Sequence, residues 1–378
     1  MRRSTIPALL LLVIVSSCKK NNNNPVNTNY TVPTTYSFAT FNDSNSLKLL
    51  AMADQLVARI NTANAQPNVA VSTQVLVGMF NNTGGYFNDS ALRLNASGLS
   101  LASYFPAPEK TDMLNYFDSI GVFSQSTTTA SAGVAGVSPS SASPNKLYLL
   151  SPDGLFYSQI VKKAFMGMCA YQISNGYMAD SINTTSDTTT LAHYWDAAFG
   201  LFGVPVNFPT VTTGLRYFGS YSNQVDAGLH SNSTIMNAFL KGRAAISNND
   251  LATMKTQASL LISTFDSLDA AAIVQEMHET NTNIEAGDAV AAYGTLSESL
   301  GFVRNLAYNT SSKRIITDAQ IAQLLALYDS NNPNSPNLYN FVGANAGLTV
   351  AQIEARTNAI AQFIGQVYGF TSTQLPLL

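Results

Sequence analysis

Residues 190–202 read Thr-Leu-Ala-His-Tyr-Trp-Asp-Ala-Ala-Phe-Gly-Leu-Phe. On a helix that turns by about 100° per residue, the large apolar side chains of this stretch fall on one stripe. These side chains are Leu191, Trp195, Phe199 and Phe202. His193 and Asp196, three residues apart, share the opposite side with small residues. The stretch therefore predicts a two-sided helix, with one side for packing and a polar pair on the other.

Helical periodicity continues through the rest of the chain. It predicts helices over residues 46–65, 69–80, 112–123, 155–178, 190–202, 233–247, 249–265, 269–285, 288–308, 317–329 and 349–368. Thr317 and Thr349 stand where helices begin, and Gln352 forms a capping box with Thr349. Only residues 146–150 predict a short extended segment. The expected fold is all-α, a bundle of about ten helices.

A long loop interrupts this pattern at residues 124–144, where Ser, Thr, Ala and Gly dominate and two prolines occur. The helical domain is expected to span residues 37–378. It forms either one unit or two packed halves that meet near residues 124–145.

Composition argues against nucleic-acid binding and against a cysteine nucleophile. Charged residues make up 11% of the chain and the net charge is −3, with no large basic cluster, so nucleic-acid binding receives no support. The two cysteines are Cys18 and Cys169. Cys169 lies in an apolar stretch and is expected to be a buried thiol rather than a nucleophile.

The first residues have the layout of a secretory signal peptide over residues 1–17, with two arginines before a short apolar run. Val15-Ser16-Ser17-Cys18 resembles a lipobox, which implies cleavage before Cys18 and acyl chains on that residue. Several acyl chains anchor a protein stably. Residues 18–36 then predict a polar tether. We expect a lipoprotein of the cell envelope, anchored to the outer membrane, with either a periplasmic or a surface face.

Six segments together resemble a Bacteroidetes lipoprotein family, domain of unknown function 4856. They are residues 36–38, 151–157, 193–205, 239–246, 277–279 and 296–302. The resemblance runs from about residue 36 to the end of the chain, and the His-Tyr-Trp-Asp segment is its most specific part. Family members often carry an acidic residue where this chain has Ala197. The family implies no activity. Its nearest analogy is imelysin, an all-helical exported family linked to iron uptake or peptidase activity, whose Gly-x-His-x-x-Glu motif corresponds here to residues 191–196.

The candidate site combines this histidine with a second polar segment. His278 and Glu279 lie in that segment, and Glu298 lies on the next helix. If these helices are neighbours, they enclose His193, Asp196, His278 and the glutamates, a set that can bind a divalent metal or iron. The alternative is a structural network in which the polar pair only fixes helix register. His230 is expected to be exposed in a loop.

Catalytic signatures are absent from the sequence. It contains no His-Glu-x-x-His pair, no Gly-x-Ser-x-Gly elbow and no phosphate-binding glycine loop. The favoured function is a membrane-anchored helical binding protein, with metal or iron as its ligand in an imelysin-like manner. The alternatives are a structural or interaction lipoprotein without a metal site and, last, a metal-dependent peptidase of imelysin type.

Overall fold

The computed structural model describes residues 29–67, 69–88, 91–342 and 347–378. The expected signal peptide, Cys18 and most of the expected tether lie outside these residues. The α-helices are α1 Ser44–Asn61, α2 Thr73–Asn81, α3 Ala107–Phe123, α4 Tyr157–Tyr171, α5 Ala179–Asn183, α6 Thr188–Phe202, α7 Phe218–Gln224, α8 Asp226–Leu229, α9 Ser231–Ser247, α10 Leu251–Glu285, α11 Ala289–Asn305, α12 Asp318–Tyr328, α13 Leu338–Val342 and α14 Val350–Tyr368. The strands are β1 Gly136–Pro139 and β2 Leu147–Leu150. The predicted all-α class is confirmed.

Helix α10 is the centre of the fold and packs against α9, α11 and α14. Helical periodicity predicts two helices here, one ending at residue 265 and one starting at residue 269, and that prediction is wrong. Asp266 does not end a helix, because its carboxylate accepts hydrogen bonds from Asn309 Nδ2 at 3.0 Å and Ile315 N at 2.9 Å. Neighbouring segments thus satisfy this carboxylate inside a continuous helix of 35 residues.

The predicted helix starts at Thr317 and Thr349 are confirmed. Each threonine accepts a hydrogen bond from the third residue of its helix, and the glutamine there bonds back to the threonine main chain. Asp250 and Asp288 accept similar bonds at the starts of α10 and α11. These short contacts satisfy donors that the first helical turn leaves without a partner.

The segment expected to be a loop contains β1, which pairs antiparallel with β2 and places Val137 opposite Leu149. The expected extended segment at residues 146–150 is therefore confirmed, whereas an unbroken loop over residues 124–144 is not. A Cβ on Gly136 would lie 2.0 Å from Thr128 O, so only glycine allows this close approach. The hairpin brings Tyr148 beside α11, where it forms one wall of a cavity.

The buried apolar residues form one continuous cluster from Tyr36 to Leu378. Cys169 is buried and free, as expected. Burial raises the pKa of its thiol to about 12. Among the helices of the described ranges, none is long and apolar enough to cross a membrane.

Candidate functional site: a charged pocket between the central helices

Asp196 is fully buried and bound to Arg243, which is itself almost fully buried. Arg243 Nε lies 2.9 Å from Asp196 Oδ1. The same carboxylate accepts hydrogen bonds from Tyr36 Oη at 3.0 Å and from Asn42 N at 3.2 Å. Arg243 also donates to Thr40 Oγ1 at 2.7 Å. This cluster joins α6 and α9 to the segment before α1, and it matches the structural alternative for Asp196.

The aromatic stripe of α6 packs against two of the segments that hold this ion pair, α9 and the segment before α1. Trp195 is fully buried, and a Cβ on Gly242 would lie 1.9 Å from its Cη2 atom. Phe199 stacks on Tyr36 with ring centroids 3.9 Å apart. Three of the quoted segments, residues 36–38, 193–205 and 239–246, therefore meet in one packing unit.

The two histidines of the expected metal set lie elsewhere. His193 is exposed on α6. His278 is half-buried, and its Nδ1 atom lies 3.1 Å from the main-chain oxygen of Leu378. His230 is exposed, as predicted.

The expected metal set is not assembled in the structure. In the four described ranges, no three His, Cys, Asp or Glu side chains are grouped so that they could hold a metal ion. The physical reason is that Asp196 already neutralises Arg243, while each histidine faces different surroundings. Of the five expected ligands, Glu279 and Glu298 do line one common cavity.

Behind that cavity lies a buried charged cluster, composed of Lys163, Tyr221, Glu276 and Glu298. Lys163 is fully buried; its Nζ atom forms an ion pair with Glu298 Oε2, donates to Tyr221 Oη and lies 3.9 Å from Glu276 Oε1. Tyr221 Oη lies 2.5 Å from Glu276 Oε1 and 3.2 Å from Glu298 Oε2. The Lys163 ammonium also lies 5.0 Å from the centre of the Phe302 ring. Each charge in this cluster thus has a direct partner.

The pKa values of the two glutamates of the cluster shift in opposite directions. Burial, together with the negative charge of Glu298, raises the pKa of Glu276 well above its usual value. Burial alone would raise the pKa of Glu298 too, but the charge and hydrogen bond of Lys163 outweigh burial and lower it. Glu276 therefore holds a proton more readily than Glu298, the member that borders the cavity.

The cavity has a volume of about 310 Å³ and lies between β2, the end of α1, the start of α4 and the facing parts of α10 and α11. Its polar lining residues are Asn61, Asn64, Lys146, Gln159, Glu279, Asn283, Thr295 and Glu298. Tyr148 and Phe156 supply aromatic surface. We call this cavity the Glu298 pocket.

Glycines and helix starts in the quoted segments position this pocket. Phe156 N, at the start of α4, donates to Ser297 Oγ at 2.9 Å, which fixes α4 against α11. A Cβ on Gly301 would lie 2.6 Å from Lys163 Cβ, so the glycine allows the lysine backbone to approach α11. Segments 151–157, 277–279 and 296–302 therefore meet at the pocket.

Lys163, Tyr221 and Glu276 are site residues that the sequence pattern did not predict. One available signal was the position of Lys163, which follows Lys162 and precedes the apolar run Ala164-Phe165-Met166-Gly167-Met168. A lysine is almost never fully buried unless it is paired, so such a position predicts a buried partner. The partner could not be identified, because it lies more than a hundred residues away.

Fold and site together define an all-α domain with a ligand-sized polar pocket backed by a buried lysine–tyrosine–glutamate cluster. The chain belongs to the family described as a domain of unknown function, DUF4856, whose profile matches residues 33–371. No curated protein and no solved structure matches the chain.

Proposed function

We propose that this protein is an exported, membrane-anchored lipoprotein that binds a small polar organic molecule in the Glu298 pocket. The observation that carries the proposal is the pocket itself, in which a carboxylate held by a fully buried lysine borders a cavity of about 310 Å³. Pockets for small ligands begin at about 300 Å³ and combine a few placed polar groups with apolar surface.

A preformed carboxylate in the pocket supports ligand binding. Among the described residues that line the pocket, none is a histidine, serine or cysteine, so no Ser–His or Cys–His pair borders it. The buried cluster keeps Glu298 ionised and in place before a ligand arrives, and such preorganisation reduces the free energy that binding must spend on ordering.

The membrane anchor rests on the sequence around Cys18. A short apolar run followed by Val15-Ser16-Ser17-Cys18 supports lipidation and anchoring to the outer membrane of the cell envelope. The test is incorporation of labelled palmitate during expression in a bacterium with lipoprotein processing. Label is expected in the natural chain and absent from Cys18→Ala, and equal labelling of the two would contradict the anchor.

Ligand binding is tested by blocking the pocket. Asn283 is half-buried, lines the cavity from the last turns of α10, and can be replaced by tryptophan to fill the space. Thr282→Trp is the matched control, because Thr282 is the preceding residue and is exposed. A library of small polar molecules is screened by thermal shift and by calorimetry. Binding is expected for the natural chain and for Thr282→Trp but not for Asn283→Trp. If every compound fails, or if binding survives Asn283→Trp, the proposal is overturned.

A divalent metal is the second candidate ligand, and one observation favours it. Glu279 and Glu298 border the same cavity as several amide oxygens, and hard cations such as Ca²⁺ prefer oxygen ligands. Metal analysis of protein purified without a histidine tag tests this candidate. A metal held in the pocket would be lost from Glu298→Gln and retained by His193→Ala and His278→Ala.

An imelysin-type peptidase is favoured least. His193 is exposed, and Asp196 is already bound to Arg243. Such an activity would require turnover that both a chelator and His193→Ala abolish.

A further inference from the structure

The Glu298 pocket presents hydrogen-bond acceptors that the protein does not satisfy. Gln159 Oε1 is buried and has no hydrogen-bond partner among the described residues. The hydrogen bonds from Lys163 and Tyr221 both reach Oε2 of Glu298, and Oε1 receives none from the described part of the chain. Gln159 Oε1 is a costly unpaired acceptor in the wall of the pocket, whereas the open Oε1 of Glu298 is the acceptor that a ligand rich in donors can reach.

The charges of the pocket point in the same direction. Glu279 and Glu298 line the same cavity. Burial raises the pKa of Glu279, the charge of Glu298 raises it further, and the charges of Lys163 and Lys146 offset part of this effect. Lys146 also lines the pocket, but among the described residues it forms no ion pair with either glutamate and lies over the Tyr148 ring at 5.3 Å. Lys163 is already bound to Glu298 on the side away from solvent. A positive group on the ligand would relieve the repulsion between Glu279 and Glu298.

The size and walls of the cavity distinguish an organic cation from a bare ion. A volume of 310 Å³ lies at the lower end of the range for small organic ligands and is more than one ion fills. Tyr148 and Phe156 offer apolar surface, which suits a carbon skeleton. The Lys146 ammonium borders the same space, and it would repel a doubly charged metal more strongly than a singly charged amine.

We infer that the Glu298 pocket takes a small organic molecule carrying a protonated primary amine, which Glu279 and Glu298 bind as an ion pair. This inference rests on the proposed function, because it specifies the chemical class of the pocket's ligand. Glu279 and Glu298 supply the charge recognition, and Lys163 is a positioning residue that holds Glu298 ionised.

The experiment compares matched pairs of probes that differ in the amine. Glucosamine is compared with glucose, and the singly charged 5-amino-1-pentanol with 1,5-pentanediol, by calorimetry at pH 7.5. We expect at least one amine to bind, and to bind about tenfold more tightly than its hydroxyl counterpart, because a charge-assisted hydrogen bond is roughly twice as strong as a neutral one. Glu279→Gln is expected to weaken the affinity for the amine about tenfold. Glu285→Gln, an exposed glutamate later on the same helix, is the matched control and should leave it unchanged.

Glu298→Gln leaves the buried Lys163 without its partner and can impair folding. The double variant Glu298→Gln, Lys163→Met removes both charges together, so that a loss of amine binding can be distinguished from a failure to fold. The inference is overturned if the hydroxyl compounds bind as tightly as the amines, if Glu279→Gln has no effect, or if no amine binds while other polar molecules do. In those cases loss of binding in Asn283→Trp would still support the proposed function, whereas binding that survives Asn283→Trp would overturn the proposed function itself.

Discussion

Replacing Asp196 by alanine removes the carboxylate that neutralises Arg243, and we expect a large loss of stability. Asp196 is fully buried and Arg243 is 2% exposed, so water cannot replace the lost partner. The change removes three hydrogen bonds that the ionised carboxylate accepts, from Arg243, Tyr36 and Asn42, and a hydrogen bond to a charged group contributes about 1.5–3 kcal/mol. Because bonds to one carboxylate are not additive, we expect a loss at the lower end of their combined range, near the roughly 3–5 kcal/mol found when one partner of a buried ion pair is removed.

The loss should depend mainly on the unpaired charge of Arg243. The double variant Asp196→Ala, Arg243→Met removes that charge and supplies an apolar side chain of similar length. We expect the double variant to be about 2 kcal/mol more stable than the sum of the two single losses predicts, because residues in contact are not additive.

Urea unfolding at pH 7 measures these free energies, with circular dichroism as the probe and the denaturant slope as a check on two-state behaviour. The control is Asp318→Ala, which breaks a pair of the same chemistry at the surface. Arg314 lies 2.6 Å from Asp318, but the aspartate side chain is 87% exposed, so the expected loss is below about 1 kcal/mol. If Asp196→Ala costs no more than this control, or if the double variant shows no coupling, the buried-charge argument is refuted.

Three further predictions concern the core. Gly242→Ala should destabilise the chain by about 1–3 kcal/mol, because the added carbon displaces Trp195. The same change in an open helix would stabilise it. Unchanged or higher stability in urea would contradict this prediction. Burial raises the pKa of Asp269 well above its usual value, so the folded state binds more protons than the unfolded state. The free energy of unfolding should therefore fall as the pH rises from about 4 through that raised pKa. Asp269→Asn should therefore be more stable than the natural chain at pH 8 and lose the advantage near pH 4, and an equal pH dependence in the two chains would count against it. Cys169, buried with its pKa raised to about 12, should not react with a thiol reagent at pH 8 in a Cys18→Ala chain until urea unfolds it; rapid reaction of the folded chain would argue against its burial.

Much of the helical fold could be predicted from local pattern. The stripe on α6 and the capping residues at Thr317 and Thr349 are local features, and the structure has each of them at the predicted place. The break predicted inside α10 was wrong because Asp266, which resembles a helix boundary, is satisfied by Asn309 and the main chain of Ile315. Those partners lie more than forty residues further on, so no window of sequence contains them.

The candidate site was only partly predictable. The sequence indicated Asp196 as a buried polar residue, yet its partner is Arg243 from α9 and not the neighbouring His193. Glu279 and Glu298 do border one cavity, but the histidines expected beside them face other surroundings. Spacing places two side chains on the same side of one helix, and it contains no information about which helix lies opposite.

By itself, the sequence of this protein determined its helical class and the starts of α12 and α14 at their capping threonines, because periodicity and capping act over a few residues. It also supplies the prediction of a lipid anchor at Cys18. Only the tertiary structure decided that Lys163, Tyr221, Glu276 and Glu298 form one buried cluster behind a pocket. The physical reason is that a buried charge must find a partner wherever packing brings one, and these four residues come from four helices spread over 136 positions of the chain.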